Sequence, residues 1–426
     1  MNHAPDKFSK LIEIPVERLR IGMYVSRLDR PWTETPFFFQ GFIVEDDGQL
    51  GTLRQLCKTV CVQVSPAEAA ALNGVAIREL PAVTLSAPDL LMQLAQDPAK
   101  FVSEVPATDA LPLRSELSLA SETLGEAKRT VGQIFETLRR GGELDVPHLS
   151  NVMDSMVESV FRNRDAMSWL VRMKNTDDYL YSHSLSASVW ALAFGRHLGL
   201  DKDTLRALGT GAMLLDVGKT RLPPELLRKP RKPDAQEWER IRAHVMDGVE
   251  LLRPTGIDKQ VLTMVATHHE RLDGSGYPAG LKGEAIPLTG SIAAIVDSYD
   301  AMTAARPYAT VKSAYDAVRE LKRLGGSAFP AQLVELFIQA VGVFPTGTLV
   351  ELNTGEVGVV IRQNRFRRLR PEVLLILDEQ KKLRDEFHVI DLLTCDENTN
   401  SKEPALWISR GLERGAFGID PAEYFL

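Results

Sequence analysis

The chain has 426 residues, of which 44% are hydrophobic and 25% are charged. This length exceeds what one hydrophobic core usually supports, and the composition is typical of ordinary globular domains rather than of disordered or fibrous chains. The formal net charge of -7 argues against a protein that coats nucleic acid, because such proteins need a basic surface. We therefore expect two or three globular domains and no nucleic-acid partner.

The cysteine content and the hydropathy indicate in which cellular compartment to expect the protein. Cys57, Cys61 and Cys395 form neither a disulfide framework nor a zinc-ligand pattern, and such scarcity is typical of a reducing compartment. The polar segment 1–10 lacks the apolar centre of a secretory signal, and no apolar run approaches the ~18 residues that a spanning helix needs. We expect a cytoplasmic protein without a membrane span.

The first part of the chain alternates between short apolar runs and turn-forming residues. Met23–Val25 and Phe37–Phe39 are apolar runs, and Asp46-Asp47-Gly48 has the composition of a turn. This pattern predicts a small β-rich N-terminal module over residues 1–64. Residues 65–115 are rich in Ala, Pro and Asp and show little periodicity, which predicts a partly disordered linker.

Helical periodicity dominates the middle of the chain. Apolar residues between Leu117 and Leu138 recur at helical spacing, so we predict an amphipathic helix over 116–145, with Gly141-Gly142 as its stop signal. The pattern remains helical over residues 146–343, which we interpret as one helical domain.

The end of the chain changes to β-branched alternation after Phe344-Pro345. Two alternating runs flank Asn353-Thr354-Gly355, a sequence that favours a turn. We therefore predict a β-hairpin that opens a β-rich C-terminal extension over residues 344–426.

Four of the eight histidines lie among carboxylates in the helical segment. They are His183, His244, His268 and His269. Imidazole and carboxylate groups are the ligands that borderline divalent metals bind. A single helical histidine is more often a core or surface residue, so it is the combination of the four that indicates a metal site.

The sharpest local pattern is His268-His269-Glu270, followed by Asp273-Gly274-Ser275-Gly276-Tyr277-Pro278. Adjacent histidines on a helix point about 100° apart, and near a helix end they can still reach one cluster. The glycines and the proline predict a fixed loop whose backbone can approach a ligand closely. A surface histidine pair beside a plain turn is the alternative.

The run from His268 to Pro278 resembles the signature of the HD-GYP family, in which a GYP-containing loop borders a metal cluster that hydrolyses cyclic di-GMP. Val296–Thr303 with Arg306-Pro307-Tyr308 resembles a later helix of the family. Asp216-Val217-Gly218-Lys219 resembles the right half of its His-Asp-x-Gly-Lys motif. The resemblance covers residues 166–341.

This resemblance implies a mainly α fold, an HD-type helical metal-dependent phosphohydrolase domain, with small β-rich modules at both ends. The segment Ile14–Val64 also resembles an uncharacterised domain that often precedes HD-GYP domains, for which we expect a regulatory or dimerising role.

The same resemblance implies six metal ligands, which are His183, Asp216, His244, His268, His269 and Asp297. The first ion would be held by His183, Asp216, Asp297 and residue 215, and the second by Asp216 and the other three histidines. Position 215 is leucine here, which has no lone pair, so the first half-site lacks a donor. Three protein ligands plus water can still hold a catalytic zinc. Some members of the family hold a third metal with a glutamate at the position that is Tyr179 here. We therefore expect one or two divalent ions, such as iron or manganese.

Other residues receive roles from the resemblance. Asp216 and Lys219 would be catalytic, and Lys219 and Arg306 would contact phosphate oxygens of the substrate. Glu270 and Asp300 lie beside ligands and would orient a histidine or make a structural hydrogen bond. Three loop residues would shape the nucleotide pocket, namely Gly276, Tyr277 and Pro278.

These residues predict a metal-dependent phosphodiesterase that converts cyclic di-GMP to the linear dinucleotide pGpG. Such hydrolysis needs a nucleophile near neutral pH and stabilised phosphate oxygens, which divalent metals can supply. Leu215 keeps a second hypothesis open, a catalytically inactive cyclic di-GMP sensor or an adaptor for other signalling proteins, and a homodimer is compatible with either. A third is an enzyme for another phosphoester, because a His-Asp site is not selective by itself.

Overall fold

A computed structural model describes most of the chain. The described residues are 10–30, 35–37, 41–44, 46–64, 72, 75–76, 110–173, 179–227, 229, 231–304, 311–364, 369–397 and 406–424. Arg306 and most of the predicted linker 65–115 lie outside these ranges. Within them, no helix is long and apolar enough to cross a bilayer.

The N-terminal unit is an antiparallel sheet with one helix packed on it. Its elements are β1 (Lys10–Pro15), β2 (Tyr24–Leu28), β3 (Phe42–Ile43), α1 (Asp47–Leu56), β4 (Thr59–Val64) and β5 (Val75–Ala76). The strand order is β3-β2-β4-β1-β5. Along β4, Val60, Val62 and Val64 alternate with less buried residues and enter a core that belongs to this unit alone.

Helix α1 takes the place of the turn that the sequence predicted at Asp46-Asp47-Gly48. The Asp46 carboxylate accepts a hydrogen bond from the backbone N–H of Gln49 at 2.7 Å and caps the helix. Leu50 and Leu53 then reach the core of the sheet. The turn prediction was wrong because the residues that favour turns also favour helix N-termini.

The helical domain follows. Its helices are α2 (Leu113–Arg139), α3 (Val146–Arg162), α4 (Arg164–Met173), α5 (Tyr179–His197), α6 (Lys202–Leu214), α7 (Pro224–Leu227), α8 (Ala235–Arg242), α9 (His244–Leu252), α10 (Lys259–Thr267), α11 (Leu288–Thr303), α12 (Ala314–Leu324) and α13 (Ala331–Val341). A 3-10 helix at Val217–Arg221 follows α6. Helix α2 ends before Gly141, which has φ +76°, a conformation that suits glycine.

The C-terminal unit is a second antiparallel sheet. Its elements are β6 (Leu349–Leu352), β7 (Val357–Arg362), β8 (Glu372–Leu377), β9 (Leu383–Asp391), α14 (Leu392–Glu397) and β10 (Ile408–Gly411), in the strand order β10-β6-β7-β8-β9. Strands β6 and β7 form the predicted hairpin. Val350, Leu352 and Val360 join the core of the helical domain, so these two units share one interior. The predicted fold class, mainly α with small β-rich modules at both ends, is confirmed.

Candidate metal centre

The fold brings the six predicted metal ligands into one buried cluster, which we call the His-Asp cluster. His183 lies on α5, Asp216 follows α6, His244 begins α9, His268 and His269 follow α10, and Asp297 lies on α11. Ligand atoms of Asp216 and the last three histidines lie within 4.8 Å of one another. This geometry fits the predicted second half-site, and metal ligation there stays a prediction.

Two histidines of the cluster are oriented by backbone carbonyls. Nδ1 of His244 donates to the Ile241 carbonyl at 2.6 Å, and Nδ1 of His268 donates to the Val265 carbonyl at 2.8 Å. The two Nε2 atoms face each other at 3.4 Å, and Oδ1 of Asp216 lies 3.4 Å from Nε2 of His244. Because a neutral ring with Nδ1–H has an unprotonated Nε2, three acceptors converge, an arrangement that a cation stabilises.

The electrostatics keep these acceptors free of protons. Burial, with a contribution from the nearby Lys219 ammonium, lowers the pKa of His244 to about 3. Burial also lowers the pKa of His268, and it lowers that of His269 further together with the neighbouring histidines. Burial alone would raise the pKa of Asp216, but Lys219 and the histidines outweigh it and hold this pKa well below its usual range. A metal ion would therefore not have to displace protons from these groups at neutral pH.

The first half-site is organised around His183. Nδ1 of His183 donates to Oδ2 of Asp300 at 2.6 Å, while Nε2 faces Asp297 at 3.0 Å and Asp216 at 3.7 Å. Burial would lower the pKa of His183, but its hydrogen bonds with Asp297 and Asp300 raise the pKa to about 9. Trp190 Nε1 donates to the other oxygen of Asp300 at 3.2 Å. The predicted role of Asp300 in orienting a histidine is confirmed.

Leu215 contributes no donor to the first half-site. Its side chain is buried and belongs to the core of the helical domain. Among the described residues, the predicted donors at this half-site are the imidazole of His183 and the carboxylates of Asp216 and Asp297.

Glu270 holds the GYP-containing loop. Its side chain is buried, Oε1 accepts the backbone N–H of Ala279 at 2.8 Å, and Oε2 accepts that of Leu281 at 2.9 Å. Asp273 accepts the backbone N–H of Ser275 at 2.9 Å. The predicted structural hydrogen bond of Glu270 is confirmed.

Gly276 allows the loop to fold onto its own chain. A Cβ at this position would lie 2.4 Å from the backbone nitrogen of Arg271 and 2.5 Å from the carbonyl oxygen of His269. We expected the loop backbone to approach a ligand. Instead, the side of Gly276 on which a Cβ would stand packs against the backbone that follows α10, because the loop returns to the histidine pair.

Three side chains, those of His269, Tyr277 and Arg242, stack outward from the His-Asp cluster, and we call them the aromatic column. The Tyr277 ring stacks on His269 with centroids 4.6 Å apart, and the Arg242 guanidinium lies over the Tyr277 ring at 5.0 Å from its centroid. Pro278 follows through a cis peptide bond. Arg242 was missed by the sequence analysis, since its spacing does not distinguish it from Arg240 on the same helix.

Of the two predicted phosphate-binding cations, the structure describes only Lys219. Its ammonium lies 2.5 Å from Oδ2 of Asp216, at the edge of the cluster. The alternative of a solvated surface cation is therefore wrong for Lys219. Arg306 lies outside the described residues, and its role stays a prediction.

The buried cluster and the surrounding helices define an HD-type domain of the metal-dependent phosphohydrolase class, and residues 165–333 match the HD domain family model. Residues 11–149 match a domain of unknown function, DUF3391, and residues 349–399 match a KOW domain associated with HD domains. The chain is 33% identical to the cyclic di-GMP phosphodiesterase PA4108 of Pseudomonas aeruginosa over 96% of both chains. It belongs to the HD-GYP family.

Two further relatives each match about a third of this chain. A cyclic di-GMP phosphodiesterase of Thermotoga maritima is 38% identical over 33% of this chain and 39% of its own length. The 3'3'-cGAMP-specific phosphodiesterase 2 of Vibrio cholerae is 40% identical over 33% of this chain and 27% of its own length. The predicted resemblance of the N-terminal module to a domain that precedes HD-GYP domains is confirmed, although the DUF3391 match continues beyond α2.

Proposed function

We propose that this chain is a metal-dependent phosphodiesterase that hydrolyses cyclic di-GMP to pGpG at the His-Asp cluster. The observation that carries the proposal is the convergence of two unprotonated imidazole nitrogens, from His244 and His268, with a carboxylate oxygen of Asp216. The substrate is supported by the relative from Pseudomonas aeruginosa, which is named a cyclic di-GMP phosphodiesterase and aligns over 96% of both chains.

The chemistry of the donor set fits one or two divalent ions. Divalent metals, when bound, supply a nucleophile at neutral pH and stabilise charge on phosphate oxygens. Asp216 faces both half-sites, and Asp300 and two backbone carbonyls fix the rings of three of the histidines. Lys219 would exchange its contact with Asp216 for a phosphate oxygen of the substrate.

The column of His269, Tyr277 and Arg242 would form one wall of the nucleotide site. The ring of Tyr277 covers His269, so the loop sets the boundary of the cluster. The Arg242 side chain is exposed, and its guanidinium sits at the outer end of the column, where an anionic substrate would first meet the protein.

Replacing Arg242 with glutamine is expected to raise KM about tenfold, the effect of losing one charge-assisted hydrogen bond, with kcat within about twofold. Steady-state kinetics on cyclic di-GMP measures both constants. Arg240→Gln removes an equal charge from the same helix and serves as the matched control. An equal rise in KM for both variants would show that only the general charge of α8 matters.

A binding module is the second candidate, and Leu215 favours it. The leucine side chain is buried in the helical core, so the first half-site has three of its four predicted protein donors. A chain of this kind could bind cyclic di-GMP without turning it over.

The deciding experiment is metal analysis of anaerobically purified protein combined with a cyclic di-GMP assay. We expect turnover with added manganese or iron and its loss with a chelator. Leu215→His should tighten metal binding by about 10- to 100-fold, and Leu215→Met, which keeps the volume without an imidazole, should not. The binding module would be favoured if calorimetry shows that the parent chain binds the nucleotide but the assay shows no turnover, and if only Leu215→His turns the nucleotide over. A panel that includes 3'3'-cGAMP tests whether another phosphoester is preferred.

A further inference from the structure

A cavity of about 610 Å³ lies between the helical domain and the C-terminal sheet, and we call it the junction cavity. Helices α2, α4, α5 and α11 form one side, and the residues around the start of β6 and after β10 form the other. Its described lining includes none of the six predicted metal ligands. Small-molecule sites typically occupy about 300–1,000 Å³ and favour junctions between domains.

Two polar atoms of the wall are buried and, within the described part of the chain, have no hydrogen-bond partner. They are Oγ1 of Thr348, a residue only 7% exposed, and Nε of Arg172. The Arg172 guanidinium is held in place, because Nη2 donates to the Tyr299 hydroxyl at 2.5 Å and the group lies 4.6 Å from the Trp190 ring centroid. Since buried polar groups are normally paired, these atoms point to a ligand that carries acceptors.

The charges of the lining favour an anion. The cations are Lys128, Arg172, Lys312 and Arg414, and the acids are Asp300, Glu413 and Asp420. Asp300 already accepts hydrogen bonds from His183 and Trp190, and Asp420 accepts one from Arg414 at 3.3 Å. Neither lysine has an ion pair among the residues that the structure describes. Two of the three carboxylates are thus compensated, and a surplus of positive charge remains.

We propose that the junction cavity binds a small organic phosphate. Arg172, Lys312 and the hydroxyl of Thr348 would hold the phosphate group, since guanidinium and ammonium groups are the usual partners of phosphate oxygens. The partly exposed apolar side chains of Val171 and Leu412 would receive the uncharged part of the ligand.

The junction cavity shares one wall with the His-Asp cluster. Asp300 lines the cavity and also accepts the Nδ1 proton of His183 at 2.6 Å. A bound ligand would therefore touch the group that orients His183, and we expect occupancy to change turnover. This expectation rests on the proposed phosphodiesterase function, whereas ligand binding itself does not.

Calorimetry on the full chain tests the site, with GMP, ribose 5-phosphate and inorganic phosphate as probes, repeated with excess chelator to exclude binding through metal. We expect GMP or ribose 5-phosphate to bind in both conditions. Thr348→Val and Lys312→Gln should each weaken this binding about fivefold or more, the effect of one lost hydrogen bond to a charged ligand. Lys259→Gln, on α10 and outside the described lining of the cavity, should leave the affinity unchanged. GMP that binds more tightly than ribose 5-phosphate would identify a nucleotide, and equal affinities a sugar phosphate.

Three results would overturn the proposal. The first is that neither organic phosphate binds, and the second is binding that both substitutions leave unchanged. The third is a lower Tm of ligand-free Thr348→Val, because the hydroxyl would then have a partner within the fold. Loss of phosphodiesterase activity affects none of these readouts, so failure of the proposed function can be distinguished from failure of this site.

Discussion

Replacing Asp216 with asparagine is expected to lower turnover and metal affinity by more than about 100-fold, beyond the range for a residue that only supports a metal ligand. Asp216 lies 3.4 Å from Nε2 of His244 and 3.7 Å from Nε2 of His183, so its carboxylate serves both half-sites. An amide has one acceptor oxygen and no charge, and the substitution leaves the Lys219 ammonium beside a neutral group.

Metal content and steady-state turnover measure the effect of Asp216→Asn. Asp247→Asn is the matched control, because this carboxylate pairs with Arg221 at 3.0 Å on the outer side of α9. Partly exposed ion pairs contribute little to stability, so the control should keep metal content and turnover within about twofold of the parent chain. Turnover of Asp216→Asn near that of the control would show that the cluster is not the active site.

Replacing Gly218 with alanine is expected to lower the free energy of unfolding by about 3 kcal/mol or more, the upper end for overpacking. An added Cβ would lie 1.9 Å from the carbonyl oxygen of His244 and 2.5 Å from the backbone nitrogen of Gly248. No rotamer change can relieve a clash with backbone atoms. The 3-10 helix must therefore move away from α9, which separates Asp216 from His244 and abolishes metal binding.

Gly132→Ala provides the contrasting control. This glycine lies inside α2, and an added Cβ would meet no atom within 4 Å. Alanine should raise the free energy of unfolding by about 0.5–1 kcal/mol through its higher helix propensity. Urea unfolding of both variants gives the comparison, and a Gly218→Ala midpoint close to that of the parent chain would contradict the predicted clash.

The fold could be predicted from the sequence in segments where one hydrophobic periodicity dominates. The prediction failed where the same residue type favours two different local structures. Helix α2 and the hairpin β6–β7 followed from apolar spacing and turn residues. The turn predicted at Asp46 was wrong, because aspartate caps helices as readily as it begins turns. The KOW resemblance of the C-terminal unit was missed, since short alternating strands carry little information about which sheet they join.

The candidate site was predictable only through resemblance. His183 and Asp297 are more than a hundred residues apart, and no local spacing brings them to the 3.0 Å that separates them. Arg242 and the junction cavity were missed because each depends on how distant segments pack. Cytoplasmic location, a homodimer and signalling partners stay predictions.

The shared interior of the helical domain and the C-terminal sheet changes what counts as the catalytic unit. Val350, Leu352 and Val360 complete the hydrophobic core around the helices, whereas the N-terminal sheet buries its own residues. A fragment trimmed to the matched HD segment 165–333 would expose that interior to water. The smallest piece of this chain that retains an intact active domain must therefore extend through β10, whereas no described residue of the N-terminal sheet belongs to that core.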